Sequence, residues 1–222
     1  MDIKFTASDP VVVEYFPPRP ANKAIPDWYR DLDLWKKNQY AGKGWPTIKH
    51  CMPAQDMLTS GYILFNPYET VIQPSKSQGI VDYKANSVVN DYIKSHDHQQ
   101  CPVKLGGEAK HYFKINQPWI VRTPPGYSCL FIQPFYHFEE RFALLPSIVD
   151  TDVHDLEVSL PGYALTDKEF KLELGQPLMQ VIPFKREAWT MSAEHAPTKR
   201  SLLHCILTAA YRTVFHQKKS FK

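Results

Sequence analysis

The chain has 222 residues, of which 43% are hydrophobic and 13% aromatic, enough material for one large domain with a packed core. Its 26 basic and 23 acidic residues leave a formal charge of +3, which is too balanced to indicate a nucleic-acid surface. Nineteen prolines against nine glycines disfavour a helical bundle, because proline is expelled from helix interiors.

The cysteines and the apolar stretches bear on cellular location. The four cysteines are widely spaced and form no C-x-x-C pair, so we interpret them as reduced thiols of a cytoplasmic protein. No stretch approaches the roughly 18 apolar residues that a membrane span needs, and "MDIKFTASDP" lacks the apolar region of a signal peptide. We therefore expect an intracellular protein that does not contact a membrane.

Residues 1–60 are predicted to be a proline- and aromatic-rich elaboration of loops and short helices. The run "VVVEYF" is followed by a proline segment that favours extended backbone. A short helix is predicted at Pro26–Arg30, because proline suits the first helical turn and Asp27 suits the positive helix end.

Residues 61–190 are predicted to be a β core. "GYILFNPYETVIQP" indicates two strands around an Asn66-Pro67 turn. From Lys110 onward, short runs such as "HYFKI", "WIVRT" and "LEVSL" alternate with breakers such as Asn116-Gln117-Pro118. One helix is expected before these strands, since valines, Tyr92 and an isoleucine recur at helical spacing within 85–98.

This pattern predicts a single domain with a mainly β fold, an antiparallel, jelly-roll-like β-sandwich or barrel. A C-terminal helix is predicted over 197–217, because an apolar face recurs through "APTKRSLLHCILTAAYRTVF". The basic tail that follows, with Lys218, Lys219 and Lys222, is interpreted as a solvated terminus.

The histidines offer one candidate metal site. His96 and His98 alternate around Asp97, and alternate histidines on an extended segment can face one ion. His111 or His137 could supply a third imidazole. The competing interpretation is a polar, solvated helix end. No motif requires a cofactor, and a divalent metal at this pair is the open alternative.

The carboxylates of "SIVDTDVHD" offer a candidate catalytic site. Asp150 and Asp152 fall on one face if the preceding strand continues, and such a pair can bind a divalent ion or hold a water as general base. We predict that Arg122 and His154 bind ligand beside them. The alternative is a strand end where aspartates satisfy free backbone amides.

Aromatic residues crowd the N-terminal third beside basic ones. Trp28 and Tyr29 are predicted to bind ligand, because aromatics interleaved with bases can stack nucleotides. They can equally anchor a protein interface, or simply seal the edge of the core. The three alternatives remain open at the level of sequence.

Five segments together resemble a family of uncharacterised proteins of tailed phages, including cyanophages, and of marine bacteria. They are "PPRPANKAIPDWYRDL", "KHCMPAQDMLTSGYILFNP", "QPWIVRTPPGYSCLFIQP", "SIVDTDVH" and "GQPLMQVIPFKREAW". The resemblance implies a phage-associated protein, located in the cytoplasm of the infected bacterial host or in the virion. It carries over no catalytic residue.

A second resemblance is confined to the C-terminal half. "LLPSIVDTDVH", "LEVSL" and "EFKLELGQPLMQVIPF" are similar in rhythm to the dUTPase and dCTP-deaminase β-barrel. That likeness implies that Asp150 takes the place of a nucleoside-contacting aspartate, and that Gly175 and Gln180 are structural. The phosphate motif and the glycine-rich C-terminal arm of that family have no counterpart here.

These observations rank three functions. The first is a phage-associated structural or protein-interaction protein, without enzymatic activity, that binds a protein partner or itself. The second is a small-ligand or nucleotide-binding or nucleotide-hydrolysing β-barrel protein centred on Asp150 and Asp152. The third is a metal enzyme that uses His96 and His98.

Overall fold

The computed structural model describes residues 1–37, 44–77, 80–100, 109–195 and 211–222, and its fold is mainly β with antiparallel sheets, as predicted. The strands of these segments are β1 (Lys4–Thr6), β2 (Arg19–Pro20), β3 (Trp35–Lys36), β4 (Trp45–Pro46), β5 (Tyr62–Phe65), β6 (Thr70–Ser77), β7 (Ile80–Ser87), β8 (Ile93–His96), β9 (Ala109–Lys110), β10 (Tyr112–Arg122), β11 (Tyr127–Ile132), β12 (Phe142–Leu144), β13 (Ser147–Val149), β14 (Glu157–Ala164), β15 (Phe170–Leu172) and β16 (Pro177–Lys185). The α-helices are α1 (Pro10–Tyr15), α2 (Asp27–Asp31) and α3 (Met52–Thr59).

Three larger sheets surround the core. The first has the order β1-β10-β14-β12, with β8 also paired to β10. The second has the order β13-β11-β16-β5-β2, and the third β15-β6-β7-β9. The pairings are antiparallel apart from β7 with β9. Apart from the β6–β7 hairpin, the pairings in these sheets join strands that are not consecutive in the chain, so the sandwich-like arrangement depends on long-range contacts.

One buried cluster draws on all three sheets. Phe113 of β10, Phe131 of β11 and Ile72 of β6 are each fully buried within it. Phe142 stacks on Phe170 with ring centroids 5.8 Å apart, which joins the first sheet to the third. Fully burying side chains of this size contributes about 1.5–3 kcal/mol each, so this cluster dominates the stability of the fold.

The predicted break at Asn116-Gln117-Pro118 is wrong. β10 continues through it as one strand, and only its register against β14 shifts between Asn116 and Ile120. The side chain of Gln117 is buried and takes over the local hydrogen bonding, since its Oε1 accepts from the N–H of Trp119 at 2.8 Å. A side-chain amide that replaces backbone partners lets a proline sit inside the strand.

The helix predicted within 85–98 is also wrong. The segment contains the end of β7, a turn in which Asp91 has a positive φ of 66°, and β8. Val88 is 81% exposed, so its helical spacing from Tyr92 does not mark a buried face. Tyr92 is buried instead because its hydroxyl donates to Asn66 Oδ1 at 2.6 Å. A tertiary contact therefore overrides the local pattern.

Other local predictions are confirmed. A short helix follows Pro26, and Asn66-Pro67 separates two strands, β5 and β6. The predicted C-terminal helix falls mostly on 196–210, outside the described residues. Its described end, Tyr211–Phe215, is a π-helical turn in which the N–H of His216 donates to the carbonyl of Tyr211 at 2.7 Å. Across the described segments, no helix combines the length and apolarity that crossing a bilayer requires.

The lysines of the basic tail are exposed, as predicted, but the tail is also held against α3. Asp56 of α3 accepts from His216 Nε2 at 3.0 Å and from Lys219 Nζ at 2.5 Å. Burial of Asp56 opposes its ionisation, but the contacts with His216 and Lys219 outweigh burial and lower the pKa of its carboxyl. The ring of Phe221 also packs edge-on to Tyr62 at 6.1 Å. The end of the chain is thus fixed beside α3.

Candidate functional site

The short helix α2 presents neighbouring aromatic residues to two different surroundings. Trp28 is 36% exposed, whereas Tyr29 is only 6% exposed. Their rings meet edge-to-face with centroids 5.5 Å apart. Successive residues of a helix point about 100° apart, so one helical turn can serve two surfaces. We name these the basic cleft, on the side of Tyr29, and the aromatic cluster, on the side of Trp28.

The basic cleft is an open cavity of about 430 Å³. It lies where α2, the turn Ile48–His50, α3 and the C-terminal turn Tyr211–Phe215 come together. The residues that line it are Asn22, Lys23, Ile25, Tyr29, Arg30, Leu34, Lys49, Met52, Gln55 and Arg212.

The position of α3 is set by the second sheet. Gln180 of β16 is buried, and its Nε2 donates to the carbonyls of Met57 at 2.9 Å and Ser60 at 2.8 Å. Those are carbonyls at the end of α3, which the helix itself leaves without partners. Gly61 follows with a φ of 71°, and a Cβ there would lie 2.0 Å from the carbonyl oxygen of Val181. This turn fixes α3, and with it one wall of the cleft.

The charge of the basic cleft is unbalanced. Its described lining includes Lys23, Arg30, Lys49 and Arg212 but no aspartate or glutamate. Arg30 pairs with Asp27 outside the lining. Within the described segments, by contrast, no carboxylate forms an ion pair with the other three cations. Converging cations without local counterions attract anions.

Two of these cations are held in place by other contacts. Lys49 Nζ donates to the carbonyl oxygen of Arg30 at 2.8 Å and lies 5.7 Å from the ring centroid of Tyr29. Arg212 Nη1 lies 3.5 Å from His50 Nδ1. Ordered cations lose less conformational entropy when they bind a ligand than mobile ones do.

Tyr29 lines the cleft, and its hydroxyl is an unusual polar group of this region. It is buried and has no hydrogen-bond partner in the described structure. Burial, followed by the nearby Cys51 and Tyr136, raises the pKa of Tyr29, so the group stays a neutral O–H donor. A buried donor that is left without an acceptor costs about 1–3 kcal/mol. A ligand oxygen at this position would remove that cost.

The aromatic cluster lies on the other side of α2. Trp28, Phe135, Tyr136 and Phe138 contact one another with ring centroids 5.1–6.5 Å apart. The indole Nε1 of Trp28 donates to the carbonyl of Tyr136 at 2.8 Å. Phe135 and Phe138 are nevertheless 67% and 56% exposed. Contiguous exposed rings of this kind are typical of protein interfaces.

Asp150 and Asp152 do come together, and a single arginine joins them. Arg186, just after β16, donates to Asp152 from both terminal nitrogens, at 2.8 Å and 2.5 Å. Its Nη1 also lies 3.1 Å from Asp150 Oδ1, which accepts from the hydroxyl of Ser128 at 2.6 Å. We call Asp150, Asp152 and Arg186 the aspartate clamp, because they tie the end of β16 to the loop after β13.

The aspartate clamp leaves Asp152 fully occupied. Its side chain is only 6% exposed, and it also accepts from the N–H of Gly126 at 2.8 Å. Arg186, with Gly126 second, lowers the pKa of Asp152 to about 2. The carboxylate therefore stays ionised and neutralised at ordinary pH. Asp150 is 58% exposed and is the member of the clamp that faces solvent.

The two residues predicted beside this site lie on its edges. Arg122 forms an ion pair with Asp155 at the end of β10. The backbone N–H of His154 donates to the carbonyl of Asp150 at 2.9 Å, which closes the loop. The described contacts of Arg122 and His154 thus belong to the loop 150–155, and their ligand-binding role stays a prediction.

The structure separates the two histidines predicted to bind a metal. His96 Nδ1 lies 2.9 Å from Gln100 Oε1. His98 instead stacks on His111, with ring centroids 5.3 Å apart and planes within 8° of parallel. His98, His111 and Asp97 offer three ligand atoms within 4.8 Å of one another. His137 lies in the turn of the aromatic cluster, and burial lowers its pKa.

Sequence reasoning missed Lys49, Arg212 and Arg186. Lys49 and Arg212 lie in separate short turns that converge only through the docking of the chain end on α3. Arg186 looks like one of several exposed charges, and its partner Asp152 lies 34 residues earlier. No local signal marks such pairs, because ion pairs between distant segments depend on tertiary structure.

Comparison with known proteins finds similar solved structures but no related sequence family. No protein-family model and no curated protein match the chain. The native dUTPase of EIAV covers 89% of this chain and 100% of its own, with 10% identity and a TM-score of 0.39. A mutant dUTPase of S. aureus phage phi11, a protein that coordinates a structural Mg(II) ion, covers 90% and 100%, with 8% identity and a TM-score of 0.40.

A third neighbour is a dUTPase mutant of Staphylococcus bacteriophage 80alpha with dUpNHpp, which covers 90% of this chain and 91% of its own. It shares 9% identity, with a TM-score of 0.40. These neighbours belong to the family that the C-terminal half of the sequence resembles. At such low scores, nothing about the ligand or chemistry of this chain follows from them.

Proposed function

We propose that the chain is a binding protein for a phosphate-bearing small molecule of nucleotide size, held in the basic cleft. The observation that carries this function is the buried, partnerless hydroxyl of Tyr29 in a cleft lined by four cations. Phosphate oxygens accept hydrogen bonds from hydroxyl, ammonium and guanidinium groups, and those from charged donors are the stronger. Several phosphate groups in one ligand would balance these cations, and we infer that one of them accepts from the Tyr29 hydroxyl.

The size and lining of the basic cleft support a ligand larger than inorganic phosphate. Its volume of about 430 Å³ falls within the range of small-molecule sites. Ile25, Leu34 and Met52 supply apolar wall beside the cations. We therefore propose that a nucleotide-sized ligand binds beside Tyr29, and not at Asp150 and Asp152 as the sequence suggests. Of the two aromatic residues predicted to bind ligand, Trp28 and Tyr29, the proposal retains Tyr29.

A thermal-unfolding series tests the proposed function. The full chain would be heated with phosphate, pyrophosphate, tripolyphosphate or a deoxynucleoside triphosphate, each at matched ionic strength. A ligand at 100 times its Kd stabilises by about 2.7 kcal/mol, so the midpoint should rise, and more for the longer phosphates. Lys168→Gln, at an exposed lysine outside the cleft, serves as control. A flat series for all four anions would refute the proposal.

Protein interaction is the second candidate function, and the aromatic cluster is the observation that favours it. Exposed aromatic rings that pack on each other lose little entropy on binding, and aromatic residues dominate interface hot spots. The occupant we infer is a second copy of the chain, since a two-fold contact would pair each cluster with its own image.

Phe138→Asn tests the self-association. The φ of Phe138 is 47°, a left-handed conformation that asparagine adopts more readily than phenylalanine, so the variant should fold. Sedimentation velocity should show a dimer for the unmodified chain and a monomer for the variant. A monomer for both at roughly 100 µM, about 100 times a micromolar Kd, would exclude this candidate.

The phage-associated origin and the location in host cytoplasm or virion stay predictions from the sequence resemblance. Probing purified virions with an antibody against the chain distinguishes the two locations. Detection at constant copy number per particle would indicate a structural component. Detection in infected cells alone would favour the ligand-binding function.

A further inference from the structure

The register between β8 and β10 places a histidine opposite an aspartate at one end of the first sheet. Tyr112 of β10 is paired with His96 of β8. Continuing that antiparallel register by one residue sets His111 opposite Asp97. The N–H of His111 also donates to the carbonyl of Val81 at 2.7 Å, which anchors this residue to β7. Two pairs of strand ends therefore fix the backbone of this site.

The donor atoms are spaced for a metal ion. Asp97, His98 and His111 offer ligand atoms within 4.8 Å of one another. His98 Nδ1 lies 3.3 Å from Asp97 Oδ1. That separation is close to the roughly 3.4 Å between ligands of a tetrahedral ion with 2.0–2.1 Å bonds. Three ligands from two chain segments meet without rearrangement of the sheet.

A buried nitrogen at this site lies beside a carboxylate without a hydrogen bond to it. His98 Nδ1 is inaccessible to solvent and makes no hydrogen bond in the described structure, despite its closeness to Asp97. A buried ring nitrogen of this kind normally finds a donor, an acceptor or a metal. The parallel stacking of His98 on His111 brings the second imidazole alongside.

A carboxylate orients His111 from behind. His111 Nδ1 lies 3.1 Å from Asp82 Oδ1. Asp82 is itself held by the hydroxyl of Ser95 at 2.6 Å and the N–H of Tyr83 at 2.7 Å. Histidines that bind metals commonly donate their other ring N–H to such a carboxylate, which sets the tautomer. With the Nδ1 proton of His111 directed at Asp82, its Nε2 carries the lone pair that can bind an ion.

We propose that Asp97, His98 and His111 form a binding site for a divalent transition ion of the zinc class. Two imidazoles and a carboxylate are donors that zinc accepts, with a fourth position for water. Bound there, the ion would join the end of β8 to the start of β10. The site differs from the His96 and His98 pair that sequence spacing suggests.

Titration of ZnCl₂ into the metal-free full chain, followed by calorimetry, tests the site. One equivalent should bind, and Co²⁺ in its place should give the visible absorption of a tetrahedral centre. His98→Ala and His111→Ala should each weaken Zn²⁺ binding more than 100-fold. Asp82→Asn should weaken it roughly 10- to 100-fold, because only the orientation of His111 is lost.

His96→Ala is the matched control, since His96 lies two residues from His98 but contacts Gln100. It should retain the affinity of the unmodified chain. If a histidine variant fails to fold, Asp97→Asn serves as the alternative ligand variant, because the Asp97 side chain is 55% exposed. Absence of Zn²⁺ binding at roughly 100 µM, well above a micromolar Kd, would overturn the proposal. So would an equal loss of binding in His96→Ala and His98→Ala.

Discussion

The basic cleft and the aspartate clamp are both clusters of charge, yet they differ in whether the charge is balanced. In the clamp, Arg186 is shared by Asp150 and Asp152, and the N–H of Gly126 completes the set. In the cleft, Arg30 is paired with Asp27, but Lys23, Lys49 and Arg212 have no carboxylate partner within the described residues. Satisfied charge stabilises a fold, whereas unsatisfied charge in a concave surface indicates a ligand.

The largest expected effect is a loss of affinity for tripolyphosphate when cations of the basic cleft are removed. Lys49→Gln combined with Arg212→Gln removes two cations from the cleft. Each lost charge-assisted bond weakens binding by at least about 1 kcal/mol, so tripolyphosphate affinity should fall roughly 30-fold or more. Calorimetric titration gives the Kd of both proteins. Unchanged affinity in the double variant would place the anion elsewhere.

The second effect concerns stability of the clamp. Arg186→Met leaves the nearly buried carboxylate of Asp152 without its cation, and the midpoint of thermal unfolding should fall by several degrees. Lys185→Met is the matched control, since Lys185 is 60% exposed and its one ion pair within the described residues is with Glu187. Affinity for tripolyphosphate should stay within about twofold, because Arg186 does not line the cleft. Equal midpoints for the two variants would mean that the clamp is not structural.

The third effect is specific to one oxygen atom. Tyr29→Phe removes the partnerless hydroxyl and keeps the ring. Loss of one hydrogen bond of about 0.5–1.5 kcal/mol predicts a roughly two- to thirteenfold weaker affinity for tripolyphosphate. Without ligand, the variant should be as stable as the unmodified chain or more so, because a buried unsatisfied group is gone. A drop in stability with unchanged affinity would assign the hydroxyl to the fold instead.

The smallest effect is the pH dependence of the clamp. The pKa of Asp152 is lowered to about 2 in the folded chain, against 3.8 as its ordinary value. The stability that it contributes is therefore present above about pH 4 and is lost as the pH falls towards 2. Asp152→Asn should be less stable than the unmodified chain at pH 6, and that difference should disappear near pH 2. Urea unfolding at several pH values measures it.

Much of the fold follows from local sequence signals. Pro26-Asp27 predicts α2, and Asn66-Pro67 predicts the turn between β5 and β6. The errors occur where one distant contact decides the outcome. Gln117 replaces backbone partners inside β10, and the Tyr92–Asn66 bond draws its segment away from a helix. Neither contact leaves a trace in local periodicity.

The sites follow from the sequence less well than the fold does. Asp150 and Asp152 are expected on one face of a continuing strand, but β13 ends at Val149, and the two carboxylates share an arginine that comes from another strand end. Pairing of His98 with His111 depends on the β8–β10 register, which sequence spacing alone does not determine. The partnerless state of the Tyr29 hydroxyl is a property of three-dimensional packing. Residue types in the sequence are enough to name candidate site residues, but the role of each residue depends on its tertiary contacts.

A crystal structure of the full chain with tripolyphosphate is the most direct test of the central claim. The account predicts a phosphate group in the basic cleft, with one oxygen within about 3 Å of the Tyr29 hydroxyl and others at Lys49 or Arg212. Tripolyphosphate that binds in solution but lies outside this cleft in the crystal, with the Tyr29 hydroxyl still lacking a partner, would contradict it.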